Sequence, residues 1–399
     1  MREAGEHMLG ALVRSTHRSA LEDLPGLVAE HARPAGITDP MIYVTDLQQQ
    51  VLVPLPGQRD ERGRPLRSLR IDTTLAGRAY RHVAIVRRPA GEARRLWVPL
   101  LDGTERIGVL GVTVERDDDL ARERVGRLSA LIALLLVSKR TSSDSYQGLA
   151  RVVPMALSAE ITWSLMPPGT FATGDVVVSA VMEPAYVAGG DAYDYALSGG
   201  TLHLAVFDAM GHDTAAGLTS TIAMSSSRNN RRHGSGPVDL AAAVDEAVAE
   251  QFHEDRYVTG VLADLDTREG VLTWVNRGHP PPLVIRGGRH VATLEGPICP
   301  PMGFRLDSPG ECSDYRLEPG DRLIFYTDGI VEARNPEGEA FGLARFADFI
   351  IRREADRLSV PETLRRLIQT VLAHQRGRLQ DDATVLLVEW RGAQEHLMF

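Results

Sequence analysis

The stretch Leu202-His-Leu-Ala-Val-Phe-Asp-Ala-Met-Gly-His212 predicts a strand that ends in a glycine turn, with an aspartate where the strand stops. Three further blocks also deliver an aspartate at or beside a turn, and each follows or precedes a run of β-forming residues. These blocks are Gly189-Gly-Asp191, Tyr326-Thr-Asp-Gly329 and Asp381-Asp-Ala-Thr384. We therefore expect carboxylates from distant parts of the chain to project past the ends of strands.

The aspartates of these blocks predict a site for metal ions. Carboxylates that gather in one place repel each other, and their pKa values rise unless a cation compensates. A ligand set made only of oxygen suits hard divalent ions such as Mg²⁺ or Mn²⁺. The simplest interpretation of Asp191, Asp208, Asp328 and Asp381 is therefore a two-metal hydrolase of phosphate esters.

The composition is that of an ordinary globular protein. The 399 residues favour two or three domains, and 43% of them are hydrophobic while 24% are charged. A net charge of −9 argues against a nucleic-acid partner, which would need a basic stripe on the protein. We interpret the one basic cluster, at 228–233, as the solvated C-terminal end of a helix.

The cysteine count and the hydropathy pattern both predict a cytoplasmic protein. The two cysteines, Cys299 and Cys312, favour a reducing compartment and no disulfide framework. The most apolar run, 130–137, is far shorter than the roughly 20 residues that a bilayer crossing needs. Residues 1–18 lack the apolar core of a signal peptide, so we expect no membrane association.

Residues 19–117 are expected to form a small α/β domain behind an N-terminal tail at 1–18. β-like runs alternate with turn-rich segments, and the last two runs flank Asp102-Gly103, which predicts a hairpin. A further strand is predicted at 82–87, where His82 is expected to face solvent rather than to bind a metal or haem.

The core of that hairpin, with Trp97, Pro99 and Gly108–Gly111, resembles a GAF domain. The resemblance implies a module that either binds a small ligand or simply dimerises. A thioether-linked chromophore or a thiolate-ligated haem is excluded, because no cysteine precedes Cys299.

Residues 118–165 are expected to form a helical connector. Apolar residues recur there at spacings of four, three, four and three, as in a seam between two helices. They are Ala121, Val125, Leu128, Ile132 and Leu135. The seam either belongs to the stalk of a homodimer or packs on its own domain. A second helix is predicted from Tyr146 to Leu165, with a kink at Pro154.

From residue 170 onward, ten strand candidates and two pairs of helices occur in blocks rather than in strict alternation. The strands run from 176–184 to 383–389, and the helix pairs are 214–232 with 238–253 and 343–355 with 361–375. This pattern predicts an α+β fold in which helix pairs face two largely antiparallel sheets. We expect an α/β/β/α layered sandwich over a domain at 166–393.

The order of the motifs resembles that of a known family. Pro184–Asp191 precedes Phe207–His212, and Asn276–Leu283, Tyr326–Asn335 and Asp381–Thr384 follow in turn. In this order the series resembles the SpoIIE-type branch of the metal-dependent protein phosphatases, the PPM or protein phosphatase 2C superfamily. The resemblance covers roughly the chain from 165 to 390. Bacterial members of this branch commonly follow a sensor domain such as a PAS or GAF domain.

The resemblance implies a role for each aspartate. Asp208 corresponds to the aspartate that bridges two metal ions, and the carbonyl of Ala209 completes the first metal site. Asp191 holds the first metal directly or through water, while Asp328 and Asp381 bind the second. Two Mn²⁺ or Mg²⁺ ions then activate a water that attacks phosphorus in line, so no protein nucleophile is needed.

The family therefore implies a bacterial serine/threonine phosphoprotein phosphatase that the GAF-like domain controls through the connector. A STAS-domain anti-anti-sigma protein is the expected substrate, and its dephosphorylation releases a sigma factor. A small-molecule ligand of the GAF-like domain and a homodimer are the further partners that we expect. The alternative is a ligand-gated scaffold that binds a partner protein and has little or no phosphatase activity.

Several residues beside the expected ligands have a second interpretation. His212 and His279 act as general acids or, as we favour, fix turns by hydrogen bonding. Asp382 is interpreted as a support for the ligands and Asp194 as a turn residue.

Two residues depart from the family pattern. Asp213 replaces a glycine that is common after Gly-His in relatives, and we interpret it as the N-cap of the next helix. Arg277 stands where relatives often have a small residue, and its contact with phosphate is left open. The phosphate-binding arginine of eukaryotic protein phosphatase 2C has no evident counterpart in this chain.

Overall fold

The computed structural model describes residues 2–60, 62–88, 94–184, 186–187, 189–297, 299–306, 310–356, 358–377, 379 and 381–392. The chain forms two compact units, Met1–Pro154 and Met155–Phe399. No helix in the described ranges is both long and apolar enough to cross a bilayer. Ala185 and Ala188 of the quoted motif, and residue 393 at the end of the expected phosphatase domain, lie outside the described residues.

The N-terminal unit is built on one antiparallel sheet. Its strands are β1 (Ile37–Thr45), β2 (Val51–Pro54), β3 (Leu69–Arg70), β4 (Val86–Arg87), β5 (Arg94–Asp102) and β6 (Glu105–Val114), and its helices are α1 (Arg2–Thr16), α2 (Leu24–Ala32), α3 (Leu75–His82), α4 (Asp119–Arg140) and α5 (Asp144–Ala150). The strand order is β3-β2-β1-β6-β5-β4. Side chains alternate along β1, so Ile42 and Val44 share a core with α1, α2, α4 and α5, while Tyr43 packs with α3. The predicted hairpin is formed by β5 and β6.

The segment expected to be an N-terminal tail is a helix of this unit. Met8 and Leu12 of α1 lie four residues apart, on one face of the helix, and both are buried in the core shared with α2 and α4. The likeness of the unit to a GAF domain stays a prediction.

The apolar seam of the connector packs on its own domain. Val125, Leu128 and Ile132 of α4 are fully buried in the core that includes the sheet residues Val98 and Leu110. The apolar residues whose spacing predicted a two-helix seam therefore form part of the core of the N-terminal unit. Because this face is covered, a homodimer would have to use a different surface.

Two local predictions of secondary structure were wrong, one of a strand and one of a helix. The strand predicted at 82–87 is limited to Val86–Arg87, because α3 extends to His82, which is exposed. The Thr74 side chain caps α3 by accepting a hydrogen bond from the amide of Gly77. The helix predicted from Tyr146 to Leu165 is broken rather than kinked, since residues 151–156 around Pro154 are not helical.

The C-terminal unit contains two antiparallel sheets. Its strands are β7 (Thr170–Ala172), β8 (Val176–Glu183), β9 (Asp191–Ser198), β10 (Thr201–Ala209), β11 (Val258–Asp266), β12 (Val271–Arg277), β13 (Leu283–Arg286), β14 (Arg289–Thr293), β15 (Ser313–Arg316), β16 (Arg322–Tyr326) and β17 (Ala383–Trp390), and its helices are α6 (Leu157–Leu165), α7 (Thr214–Arg231), α8 (Pro237–Phe252), α9 (Asp328–Val331), α10 (Leu343–Ala355) and α11 (Val360–His374). One sheet has the order β15-β12-β11-β10-β9 and the other the order β14-β13-β16-β17-β8-β7. The ten predicted strands and both helix pairs are present, whereas the short elements β7 and α9 were not predicted.

The layers follow from the alternation of side chains along the strands. Leu386 and Val388 of β17 face the core shared with the five-stranded sheet, which also holds α7 and α8. Val385 and Leu387 of the same strand point the other way, into a core with α10 and α11. The predicted α/β/β/α sandwich is therefore confirmed.

A buried ion pair joins the five-stranded sheet to α7. Asp194 lies within β9 and its side chain is only 1% exposed. It accepts hydrogen bonds from Nε and Nη2 of Arg228, at 2.9 and 2.6 Å, and from Nη1 of Arg231, at 2.7 Å. Asp194 is thus not a turn residue, and these two arginines are not simply the solvated end of a helix. The sequence pattern missed the pairing because the partners lie 34 and 37 residues apart.

Replacing Asp194 with alanine should lower the free energy of unfolding by about 3–5 kcal/mol, because two arginines lose a buried partner. The matched control is Asp348→Ala, whose carboxylate pairs with Arg352 on an exposed helix face and should contribute at most about 1 kcal/mol. Urea unfolding of both variants measures the difference. An equal decrease in the free energy of unfolding in the two variants would show that the buried pair at Asp194 stabilises the protein no more than an exposed pair.

Candidate active site

Two pairs of neighbouring strands carry the expected ligands to one edge of the sandwich. In the five-stranded sheet, Asp191 at the start of β9 lies directly opposite Asp208, near the end of β10. In the other sheet, β16 ends just before Thr327 and Asp328, and β17 begins just after Asp381. Antiparallel neighbours place the end of one strand beside the start of the next, so each sheet presents two aspartates at one edge.

Hydrogen bonds join the two edges. The Thr327 hydroxyl donates to Oδ2 of Asp191 at 2.7 Å and accepts a bond from the amide of Thr384 at 2.9 Å. Oδ2 of Asp382 accepts a bond from the amide of Gly189 at 2.9 Å. Asp191 and Asp208 belong to one sheet, whereas Asp328, Asp381 and Asp382 follow or precede strands of the second. These bonds therefore bring the four expected ligands together with Asp382.

The electrostatic cost of this gathering is visible in the pKa values. Burial, with the nearby charges of Asp208 and Asp382, raises the pKa of Asp191 well above its usual range. Burial and the charges of Asp328, Asp381 and Asp382 raise the pKa of Asp208 to about 7. Burial and the charge of Asp381 also raise the pKa of Asp328. A bound cation would remove this penalty, so the donor set fits hard divalent ions.

Asp382 supports the loop that leads to Asp191. Besides the amide of Gly189, its Oδ2 faces the amide of Asp191 at 3.4 Å, and the residue is 6% exposed. Burial raises the pKa of Asp382 to about 6, although the backbone amides around it oppose the rise. The carboxylate therefore fixes backbone on the opposite sheet, which agrees with the supporting role expected for it.

Two glycines allow the backbones to approach. A Cβ on Gly190 would lie 2.2 Å from the carbonyl oxygen of Ala209, and one on Gly329 would lie 1.8 Å from that of Asp382. Any side chain at either position would force the strand ends apart. Gly211 is required for a different reason. A Cβ there would meet open space, but its φ of +90° is a conformation that favours glycine.

His279 is a neutral, buried bridge between the sheets. Its Nε2 donates to the carbonyl of Tyr326 at 3.1 Å, so its Nδ1 accepts from the hydroxyl of Thr259 at 3.0 Å. Burial lowers the pKa of His279 to about 4. These contacts agree with the favoured role of His279 in fixing local structure and argue against a general acid.

His212 and Arg277 have different surroundings. The His212 side chain is exposed, and within the described part of the chain no hydrogen bond joins it to another residue, so the expected turn-fixing bond is not found. Arg277 is 3% exposed, and its Nε donates to the carbonyl of Pro300 at 2.9 Å. Arg277 thus supports the 299–301 segment.

Sequence reasoning missed Thr327 and Ser220. Thr327 links Asp191 to Thr384, and the Ser220 hydroxyl on α7 donates to the carbonyl of Gly190. The only hint was a hydroxyl residue directly before Asp328 at a strand end. Its partners are 57 and 136 residues away, and no local pattern reveals such contacts.

The carboxylates do not form a ready-made metal cage. Among the residues that the structure describes, no three acidic, histidine or cysteine side chains are arranged so that they could hold a metal ion. The assignment of Asp191, Asp208, Ala209, Asp328 and Asp381 as ligands therefore stays a prediction, supported by the convergence and by the raised pKa values.

Residues 198–391 match the family model of Stage II sporulation protein E (SpoIIE). The C-terminal unit is a SpoIIE-type domain. The match covers β10–β17, and with them Asp208, Asp328 and Asp381. The SpoIIE family, expected from the order of the motifs, is thereby confirmed for this part of the unit.

Two curated relatives come from Bacillus subtilis strain 168. The chain is 25% identical over 209 residues to phosphoserine phosphatase RsbP, a match that covers 50% of this chain and 49% of the relative. It is 20% identical over 221 residues to phosphoserine phosphatase RsbU, covering 53% of this chain and 62% of that protein. The matches thus span less than two thirds of either relative.

A solved structure of the RsbU and RsbW domains of Rv1364c from Mycobacterium tuberculosis is also similar. It shares 25% sequence identity with the chain and gives a TM-score of 0.46, covering 55% of this chain and 61% of that one.

Replacing Asp208 with asparagine should stabilise the metal-free protein at pH 8, since it removes a charge from a carboxylate whose pKa is raised to about 7. We expect a gain of about 1–3 kcal/mol in urea unfolding with a chelator present. Mn²⁺ should then raise the melting temperature of the wild type more than that of the variant.

Asp348→Asn is the control for this prediction, because the same change on an exposed helix face removes a carboxylate away from the cluster. A metal-free Asp208→Asn protein that is less stable than the wild type would contradict the prediction.

Proposed function

We propose that this protein is a metal-dependent phosphatase of phosphoserine and phosphothreonine in proteins. The observation that carries the proposal is the meeting of Asp191, Asp208, Asp328 and Asp381 at one edge of a SpoIIE-type domain. The similarity to the phosphoserine phosphatases RsbU and RsbP supports the same activity.

The same aspartates, with the carbonyl of Ala209, would hold two Mn²⁺ or Mg²⁺ ions. When bound, such ions make a water nucleophilic near neutral pH and offset the charge on phosphoryl oxygens. The residues around the ligands hold them in place: Asp382 fixes the 189–191 backbone, Thr327 orients Asp191, and neutral His279 ties the two sheets together.

No cysteine competes for the role of nucleophile. Cys299 is buried, and burial raises the pKa of Cys312 above its usual value, so its thiolate is scarce at neutral pH. Hydrolysis by water at the carboxylate cluster therefore suits this chain better than a cysteine-based mechanism.

We further propose that the substrate is a phosphorylated STAS-domain anti-anti-sigma protein in the cytoplasm. The similarity to RsbU and RsbP supports a regulatory phosphoprotein as partner. The N-terminal unit would then bind a small ligand or dimerise, as the GAF resemblance implies.

Regulation by the N-terminal unit would act through the start of α6. The amide of Ala156 donates to the carbonyl of Tyr186 at 2.8 Å, and Tyr186 lies in the segment that leads to Asp191. Ala156 lies only two residues after Pro154, the last residue of the N-terminal unit. The hydrogen bond to Tyr186 is therefore made close to the end of that unit in the sequence. A change in the N-terminal unit that shifts Ala156 would move the backbone before Asp191.

The alternative is a ligand-gated scaffold that binds a partner protein and has little or no phosphatase activity. The intact set of Asp191, Asp208, Asp328 and Asp381 argues against this alternative. Calorimetry of partner binding distinguishes the two functions, because a scaffold should bind its partner equally well with and without Mn²⁺.

Hydrolysis of an aryl phosphate or of a phospho-STAS protein should require Mn²⁺ or Mg²⁺ and should stop on chelation. Asp208→Ala and Asp328→Ala should lower kcat/KM at least about 100-fold, since each removes roughly 3 kcal/mol of transition-state stabilisation. The control Asp348→Ala should keep the wild-type rate. Turnover that survives the chelator, or full activity in both site variants, would end the proposal.

Breaking the bond between Ala156 and Tyr186 in the full chain should change the Mn²⁺-dependent rate about fivefold or more. Ala156→Pro removes the amide donor at a residue whose φ of −68° suits proline, while Ala156→Gly keeps the donor. Removal of residues 1–154, which takes away the whole N-terminal unit, should also alter the rate. If the proline and glycine variants behave alike and the truncation has no effect, this route of control is wrong.

A further inference from the structure

Arg256 lies beside the turn that follows Asp208. It stands two residues before β11, whose first residue, Val258, pairs with Ala209 at the end of β10. The amide of Met210 donates to the carbonyl of Tyr257 at 3.1 Å, which continues this pairing past both strands. Arg256 is therefore at the edge of the sheet where the carboxylates gather.

The Arg256 guanidinium grips both ends of the 210–213 turn. Its Nη1 donates to the carbonyl of Met210 at 3.3 Å and to Oδ1 of Asp213 at 3.2 Å, and its Nη2 donates to Oδ2 of Asp213 at 2.9 Å. Oδ1 of Asp213 also caps α7 by accepting from the amide of Ala216 at 2.8 Å. One side chain thus ties together the end of β10, the turn and the start of α7.

The 210–213 turn needs a restraint from outside, because its own backbone conformation is weakly restricted. Gly211 has a φ of +90°, and a Cβ there would meet open space, so no packing restricts this residue. The segment that carries Arg256 is itself held in an uncommon conformation, with φ of 52° at His253 and 65° at Glu254. Such conformations in non-glycine residues persist only where the surrounding structure imposes them.

The restraint reaches the Ala209 peptide. On one side, the amide of Ala209 donates to the carbonyl of Gly190 at 3.0 Å, and a Cβ on Gly190 would touch the Ala209 carbonyl. On the other side, the chain continues into Met210, whose carbonyl Arg256 holds. The direction of the Ala209 carbonyl therefore depends on both contacts.

We propose that Arg256 is a positioning residue, which through Asp213 and the Met210 carbonyl directs the Ala209 carbonyl and the Asp208 carboxylate toward a divalent cation. The inference rests on the proposed function, because it assigns Arg256 to the same metal site. The ion pair is partly exposed, with 22% exposure for Arg256 and 58% for Asp213, so it adds little to global stability. Its effect should appear in cation affinity instead.

Three variants of the full chain separate this role from a merely structural one. Arg256→Gln removes the charge and the fork of donors, and Arg256→Lys keeps only the charge. Asp213→Asn removes the charge but keeps the helix cap, because asparagine caps helices as well as aspartate does. The control is Arg316→Gln, which makes the same change in an exposed pair with Glu269, 3.1 Å long, on an edge strand.

Calorimetry with Mn²⁺ should show about tenfold weaker binding for Arg256→Gln and Asp213→Asn, and a smaller loss for Arg256→Lys. The double variant should be no weaker than either single one, because the two changes break the same contact. Melting temperatures with a chelator should match that of Arg316→Gln. Affinity within twofold of the control, or a lower melting temperature with unchanged affinity, would overturn the proposal.

A second measurement keeps the proposal testable apart from the phosphatase activity. If the wild type binds Mn²⁺ but hydrolyses no phosphate ester, the proposed function fails while the calorimetric comparison still decides the role of Arg256. If the wild type binds no Mn²⁺, the proposal fails together with the metal site. Hydrogen exchange in the metal-free protein tests the restraint itself: exchange over residues 208–217 should be about fivefold faster in Arg256→Gln than in Arg316→Gln, and equal exchange would overturn the proposal.

Discussion

Mutual repulsion among buried carboxylates is the constraint on which the C-terminal unit depends. Asp191 and Asp208 face each other across neighbouring strands, and the charges of Asp328, Asp381 and Asp382 lie close by. Burial alone raises the pKa of such groups, and each neighbouring charge raises it further. A fold that brings them together without a cation gives up stability, and the surrounding contacts must resist their separation.

The restraining groups around the cluster are mostly uncharged or belong to the backbone. Thr327 and His279 bind across from one sheet to the other, and Gly190 and Gly329 let backbones come within contact of each other. Neutral groups hold the carboxylates without cancelling their charge, so the negative potential stays available for a cation. Arg256 adds a positive charge, but its carboxylate partner is Asp213, whose own pKa is lowered by the amide of Ala216 and by Arg256. That pair is therefore internally balanced.

The N-terminal unit shows how one pattern can serve two structures. The spacing of Val125, Leu128 and Ile132 is compatible with packing against a second helix and equally with packing against a sheet, because both arrangements bury one apolar stripe of the helix. In this protein the stripe is covered by the sheet of its own unit. A similar ambiguity affects α1, for which the sequence predicts a tail: its apolar face becomes recognisable only beside α2 and α4.

Much of the C-terminal fold could be derived from the sequence alone. Runs of β-forming residues predicted its ten strands, helical patterns predicted both helix pairs, and motif order predicted the family, because these signals lie in neighbouring residues. Tertiary structure alone decided that Asp194 is buried against Arg228 and Arg231, that Thr327 bonds to Asp191 and that Arg256 holds the 210–213 turn. Each of these contacts joins residues tens of positions apart, and whether such side chains meet depends on strand register and layer packing, which no local pattern contains.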